Sequence, residues 1–527
     1  ASRTRLVEGG DELAWLSPNG AHRVKVGFLA NHGTGRSDVS EEKNGVFFFN
    51  SLADLAAGTP SSFTRVLSSS LRSSSRSSAA LYAGDAWQPR GGLEIDYGLR
   101  LETSRYGDAP ARNLAVEQAF GLRTATPNWR GYLTDPSTIP TSCVGAPTTT
   151  SSTLPSVIAF DARTGSPRTR RWSLGATQHL IGPFSASVDL FYIEGLSQLG
   201  IPDANLRGDP YFTLANEQRR PIYVPASTID AATGAVSLNA SRLHPEFGEV
   251  SVVHSFLKSR TRQLTVGVNG ESKRGLSVDG SYTYTNARDQ SLGFEGEGPD
   301  DNTFGNPNVP YWGRADEERR HLFEATTTVP LRKGMELALI ARLMSGAPFS
   351  ARLATDINGD GTRNDRSFVF DPYAPTTDSA AAAVAAGMRQ LLTTGPATAR
   401  QCLPRQFGHP AERNGCSGPW VPGLDIRFAM TPKVSFAQRL TLSVTALNAL
   451  VGIDELLHGR NNISGWGQDA SIDQRLLFVT GFDPATNVFR YRVNQHFGAA
   501  SGALNPFRIP FVLSLQGRVT LGSSRHR

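Results

Sequence analysis

The chain has 527 residues, a formal net charge of +6 and only 39% hydrophobic residues, with a mean hydropathy of −0.28 and an isoelectric point near 9.3. Its cations are mostly arginine and scattered, with no basic cluster interleaved with aromatics, which argues against nucleic acid as a partner. Three cysteines (Cys143, Cys402, Cys416) are too few for a disulfide scaffold, and no apolar run approaches the ~18 residues of a transmembrane helix.

The N-terminus, ASRTRLVEGGDELAW, lacks the apolar core of a signal peptide, so the chain is either mature or missing its front. The first clear element is LEIDYGLRLE. There Leu93, Ile95, Tyr97, Leu99 and Leu101 alternate with Glu94, Asp96, Gly98, Arg100 and Glu102. FSASVDLFY (184–192), QLTVGVNG (263–270), LSVDGSYTYT (276–285), LTLSVTA (440–446) and FVLSLQGRVTL (511–521) repeat the pattern. A period of two with one apolar and one polar face predicts β-strands. The longer runs exceed the usual strand of about 5–6 residues.

The connections alternate in length. Tight turns are predicted at 88–92, 181–183, 273–275, 331–334 and 435–439, and long polar connections at 106–167, 196–246, 287–316 and 347–421. A soluble β domain rarely needs several loops beyond ~15 residues. An outer-membrane barrel has this asymmetry by construction, with short periplasmic turns and long extracellular loops. The expectation is therefore an all-β, transmembrane antiparallel β-barrel over residues 1–527, with roughly 14 to 18 strands. Tyr82, Trp87, Tyr97, Tyr192 and Tyr282 are candidates for its interfacial aromatic girdles.

The connection 347–421 carries three local signals. TDINGDGTRNDRSF (355–368) spaces Asp356, Asn358 and Asp360 at alternate positions before Gly361 and Thr362, with Asp365 following. That is the first half of a Ca²⁺-loop pattern, but position 12 is Ser367 rather than a bidentate glutamate. Two readings stand: a Ca²⁺ site built from Asp356, Asn358, Asp360, the Thr362 carbonyl and Asp365, or a turn whose side chains cap their own amides. DSAAAAVAAGMRQLL (378–392) predicts a short helix with Asp378 as N-cap. Cys402 and Cys416 flank LPRQFGHPAERNG and are expected to bridge, which for a loop of about 15 residues contributes roughly 3 kcal/mol on the chain-entropy model. Zinc is the weaker competitor, because two thiols and His409 lack the usual ligand spacing. Cys143 is left free or paired outside the chain.

Catalytic motifs are absent: no G-x-S-x-G, no H-E-x-x-H and no P-loop. An enzyme is not expected. DEERRHLF (316–323) is taken as a charge ladder where a strand begins rather than a catalytic cluster.

Five segments together, NGVFFFNSLADLAAGTPSSFTR (44–65), LYAGDAWQPRGGLEIDYGLRLE (81–102), YWGRADEERRHLFEATTTVPLRKG (311–334), SGAPFSARLATDINGDGTRNDR (345–366) and NPFRIPFVLSLQGRVTLG (505–522), resemble the barrel of TonB-dependent receptors. The Oar-like branch is the most similar. The resemblance implies a barrel of 22 strands in the bacterial outer membrane, a plug domain, and contact with the TonB complex through an N-terminal segment. Its function would be energy-coupled uptake of a large or scarce solute, with outer-membrane lipid around it. No plug or TonB box precedes residue 20, so these residues are expected to be the C-terminal part of a longer chain. The alternative is a structural or adhesive surface barrel that binds surface proteins through its loops and moves nothing.

Overall fold

The computed structural model describes residues 2–38, 46–48, 56, 62–64, 71–107, 157–161, 164–292, 304–331, 334–363, 365–432, 440–468, 470–501 and 510–519. Thirteen long strands follow one another in a single antiparallel meander, each paired with its neighbour in the chain. They are β1 (Ser2–Leu16), β2 (His22–Asp38), β3 (Leu71–Arg90), β4 (Leu93–Tyr106), β5 (Arg168–His179), β6 (Phe184–Gly200) and β7 (Val250–Glu271). The series continues with β8 (Ser277–Ser291), β9 (His321–Pro330), β10 (Met335–Met344), β11 (Val421–Met430), β12 (Leu440–Leu447) and β13 (Val512–Val519). Tyr311–Arg314 pairs with β8 and Val157–Phe160 runs parallel to β7, which makes fifteen strands in the sheet. That falls within the expected 14 to 18. Among the described residues no pairing joins β13 back to β1, so the sheet is described as open rather than as the closed 22-stranded barrel of the resemblance.

The two ends of the sheet differ as the sequence predicts. At one end β1–β2, β3–β4, β5–β6, β7–β8 and β9–β10 are joined by residues 17–21, 91–92, 180–183, 272–276 and 331–334. These turns close through left-handed glycines, as at Gly92 (φ 80°) and Gly275 (φ 83°), a backbone region where a Cβ is unfavourable. The predicted turn at 435–439 and most of 106–167, with Cys143, lie outside the described residues. At the other end run the long connections, including 201–249, 292–320, 345–420 and 448–511.

Register turns alternation into two chemically distinct faces. One row crosses eight strands as Ile95, Ala176, Val188, Val266, Tyr282, Phe323, Leu343 and Pro422. The adjacent row reads Glu94, Thr177, Ser187, Gly267, Ser281, Glu324, Arg342 and Gly423. Because the side-chain period is two, the first row lies wholly on one face and the second on the other. Val188, Val266, Phe323 and Leu343 are exposed, as a lipid-facing band requires. Aromatic pairs lie along this face: Tyr282 with Phe323 at 4.7 Å and Trp172 with Tyr192 at 5.3 Å between centroids. His22 stacks on Trp87 at 5.8 Å. Tyr82 is a correction. It sits one residue from Leu81 and so points to the polar face, where its hydroxyl donates to Glu12 at 3.0 Å.

The hydrophobic core lies beyond the sheet, where the long connections fold together. Leu214, Ile222 and Val224 come from 201–249, Phe349, Leu353, Ile357, Met388 and Leu391 from 345–420, and Leu476, Phe482, Phe489 and Phe497 from 448–511. All are almost fully buried in one cluster, which we call the cap. Helix α1 (Ser379–Thr394) is capped by Asp378, whose carboxylate accepts from the Ala380 and Ala381 amides. It buries Val384, Ala385, Met388 and Leu391, one face at helical spacing. Gly387 lets α1 approach the hairpin of Arg475–Asp483 with Val488–Val493, since a Cβ there would stand 3.0 Å from Val493. Helices α2 (Ala397–Cys402) and α3 (Ala449–His458) complete the regular elements used below.

Candidate ligand-binding cap

The loop 356–365 is built as a self-capped turn. The two Asp356 oxygens accept from the Gly359 and Gly361 amides at 2.7 and 2.9 Å. Asp360 accepts from the Thr362 amide and hydroxyl at 2.8 and 2.7 Å and from the Asn358 side-chain amide at 2.8 Å. Asp365 accepts from the Ile357 amide at 2.9 Å and from Arg220 at 3.3 Å. Each of the six carboxylate oxygens is thus already engaged by the chain, and Gly361 takes the left-handed φ of 102°. The sequence-predicted residues do converge in one loop. Among the described residues, however, no group of three or more His, Cys, Asp or Glu side chains is arranged to hold a metal ion.

Charge repulsion marks the loop all the same. Burial, then Asp360 and Asp365 beside it, holds the Asp356 carboxyl well above the usual carboxylate range. Burial raises Asp365 to about 7 against the pull of Arg220. Two arginines from the connection 201–249 offset the negative charge: Arg220 at Asp365, and Arg242, which donates to the Asp360 carbonyl at 3.0 Å and pairs with Asp203. The Tyr223 amide donates to the Asn358 carbonyl at 2.7 Å. The loop is therefore a staple between two connections rather than an exposed surface turn. Asn358, Asp360 and Asp365 are fully buried.

Arg220 centres a polar network that the sequence does not announce. Its Nε donates to Glu217 at 2.8 Å, its Nη2 to the Arg366 carbonyl at 2.6 Å, and its guanidinium lies 3.9 Å over the Phe304 ring. The Tyr491 hydroxyl donates to Glu217. Arg220 and Glu217 are fully buried, and a buried charge is tolerated only when paired and hydrogen-bonded. The sequence signal, alternate apolar residues Phe489, Tyr491 and Val493 in one short run, marks only one side of it.

Cys402 and Cys416 form the expected disulfide, 14 residues apart with Cα atoms at 5.2 Å. It joins the end of α2 to the segment that pairs with Pro348–Phe349. His409, the residue considered for zinc, instead contacts the Gln218 side chain at 3.0 Å. The charged run 316–323 is also placed. Glu318 is buried, accepts from the Ala287 amide at 2.7 Å and pairs with Arg314 and Arg320 at 2.6 and 2.9 Å. The run locks the entry to β9 onto β8.

This combination, a meander with one apolar and one polar face and a folded cap at its long-loop end, can be set beside known proteins. The outer membrane beta barrel domain family matches residues 2–115 and 103–450. The chain belongs to that family. An outer membrane beta barrel domain places the sheet in the outer membrane and assigns the apolar face to lipid. No helix among the described residues is long and apolar enough to cross a membrane, and the family crosses with strands. No curated protein sequence matches the domain. Among solved structures, the outer membrane transporter YddB from Escherichia coli is 11% identical, with a TM-score of 0.41 over 95% of this chain and 53% of that one. The pyoverdine outer membrane receptor FpvA from Pseudomonas aeruginosa PAO1 is 10% identical, with a TM-score of 0.40 over 99% and 53%. The FrpB iron transporter from Neisseria meningitidis is 10% identical, with a TM-score of 0.36 over 88% and 52%. The barrel domain spans about half the length of these structures.

Proposed function

We propose that the chain is the barrel portion of a TonB-dependent outer-membrane receptor of the Oar-like kind, which takes up a large or scarce solute. The observation that carries the reading is the cap: three connections from the long-loop end bury a common core over a sheet whose second face is polar. A sheet of this width encloses more than side chains fill, and the cap supplies a built surface at its mouth on the extracellular side. Energy coupling would reach it through TonB and a segment ahead of Ala1. Intact mass and N-terminal sequencing of the protein extracted from outer membranes test this. A mass well above 56.7 kDa, with a plug-sized segment before Ala1 and cross-linking to TonB, is expected. A mass near 56.7 kDa that begins at Ala1 overturns the transport reading and leaves a structural or adhesive surface barrel whose cap binds surface proteins.

Ca²⁺ at Asp356, Asn358, Asp360, Thr362 and Asp365 is a second proposal, supported by the mutual repulsion of three carboxyl groups in one loop, and the ion would compete there with Arg220 and Arg242. The carboxylates' present hydrogen bonds would have to be shared with the ion. Adding Ca²⁺ to chelator-treated protein in detergent should raise the unfolding temperature of the cap, and the Asp360→Asn variant should lose that rise. An unchanged melting temperature would leave the arginine-pinned turn as the loop's whole role.

A further inference from the structure

Where the long-loop end of β8 meets the disulfide-tied part of the cap lies a cavity of about 730 Å³. Among the described residues six arginines line it, Arg288, Arg314, Arg320, Arg366, Arg405 and Arg413, against a single acid, Glu412. Three of the six are matched elsewhere. Arg314 and Arg320 share Glu318, and Arg413 pairs with Asp289 at 2.6 Å and Asp316 at 3.3 Å.

Among the described residues, the other three have no carboxylate at ion-pair distance. Arg366 gives Nη1 to the Ala411 carbonyl at 2.6 Å and lies 4.9 Å over the Tyr311 ring, and its Nε is buried without an acceptor. Arg288 and Arg405 are exposed. A solvated basic surface would account for Arg288 and Arg405. It does not account for Arg366, whose donor is withdrawn from water beside them. Guanidinium forks converging on one space are the usual recognition of carboxylate and phosphate groups.

We infer that this cavity binds an oxyanion, a phosphate or carboxylate group, carried by a free polyanionic solute or by the headgroup of an outer-leaflet lipid. Arg288 stands four residues beyond Tyr284 on β8, past the apolar band and toward the cap, and Trp312 lines the wall beneath the Arg260 guanidinium at 5.2 Å. The binding needs no energised membrane, so it stands or falls apart from the transport reading.

The test uses the full-length protein in non-ionic detergent. Calorimetric titration with sodium pyrophosphate and with citrate is run beside native mass spectrometry for retained phosphorylated lipid. The double variant R288Q/R405Q changes two exposed side chains and so preserves the fold, and R460Q, a solvent-facing arginine outside the cavity, is the control. Binding of a free anion that falls at least tenfold in the double variant, and is unchanged in R460Q, supports a solute. Retained phosphorylated lipid that is lost only in the double variant supports a headgroup. Neither ligand on the unaltered protein, or equal binding by the double variant, overturns the inference.

Discussion

Arg220 is the residue on which the cap depends most. Removing one member of a buried ion pair leaves the other charge uncompensated, at about 3–5 kcal/mol. Arg220→Ala strips Glu217 and Asp365 of their shared partner. We expect that loss of cap stability, read as the urea midpoint for proteolysis of the connections 201–249 and 345–420, while β1–β4 stay protected. Asp454, in α3, gives a different signature. Burial opposes its ionisation, but the amides of Ser464, Gly465 and Trp466 together with His458 outweigh it and hold its pKa below the usual range. A depressed carboxylate contributes stability above its unfolded value of about 3.9 and loses it as pH falls through the lower folded value. Acid unfolding of the segment after α3 should therefore be steep below about pH 4. The Asp454→Asn variant should be less stable at pH 7 and less pH-dependent. Equal pH profiles for the two proteins would remove Asp454 as the anchor.

At the scale of the element, the strands are legible in the sequence because each carries its own record of two environments. Leu93 to Leu101 alternate apolar and polar positions, and the register places them as the alternation says. The consequence is testable by pairs. Val266→Arg puts a charge on the apolar face and should cost about 2–4 kcal/mol if near the membrane midplane, whereas Ser281→Arg, one register row away on the polar face, should be nearly neutral. Folding yield into liposomes separates them, and equal yields would contradict the assignment of faces. The cap was not legible in this way. Its buried positions are spread over three connections, none with a sustained period. The pattern of 356–365 was visible, but its partner Arg242 lies 118 residues from Asp360, beyond any local reading. The disulfide and α1 were legible because spacing and an N-cap are local.

Across the whole molecule, the sheet and the cap divide the work of stability. The meander is stitched by neighbours in sequence, from β1 with β2 to β12 with β13. Its hydrogen bonds satisfy the backbone in an apolar solvent. The cap obeys the rules of a water-soluble core, with apolar side chains withdrawn together. The sequence conveys the first half of that design through alternation and turn length. The second half depends on contacts between distant connections, which composition alone leaves invisible.

That common core also sets an order of assembly. Leu214 and Phe497 belong to one cluster, although seven strands, β7 to β13, are still to be placed or completed after Leu214 has been synthesised. Contacts of such separation form slowly, after the local ones that bring them within reach. Neighbouring hairpins can pair as they emerge, and the bridge between Cys402 and Cys416 can close across its own short span. The cap cannot close until its last contributor has arrived. The folded cap thus forms only once all but the final strand of the sheet has been made.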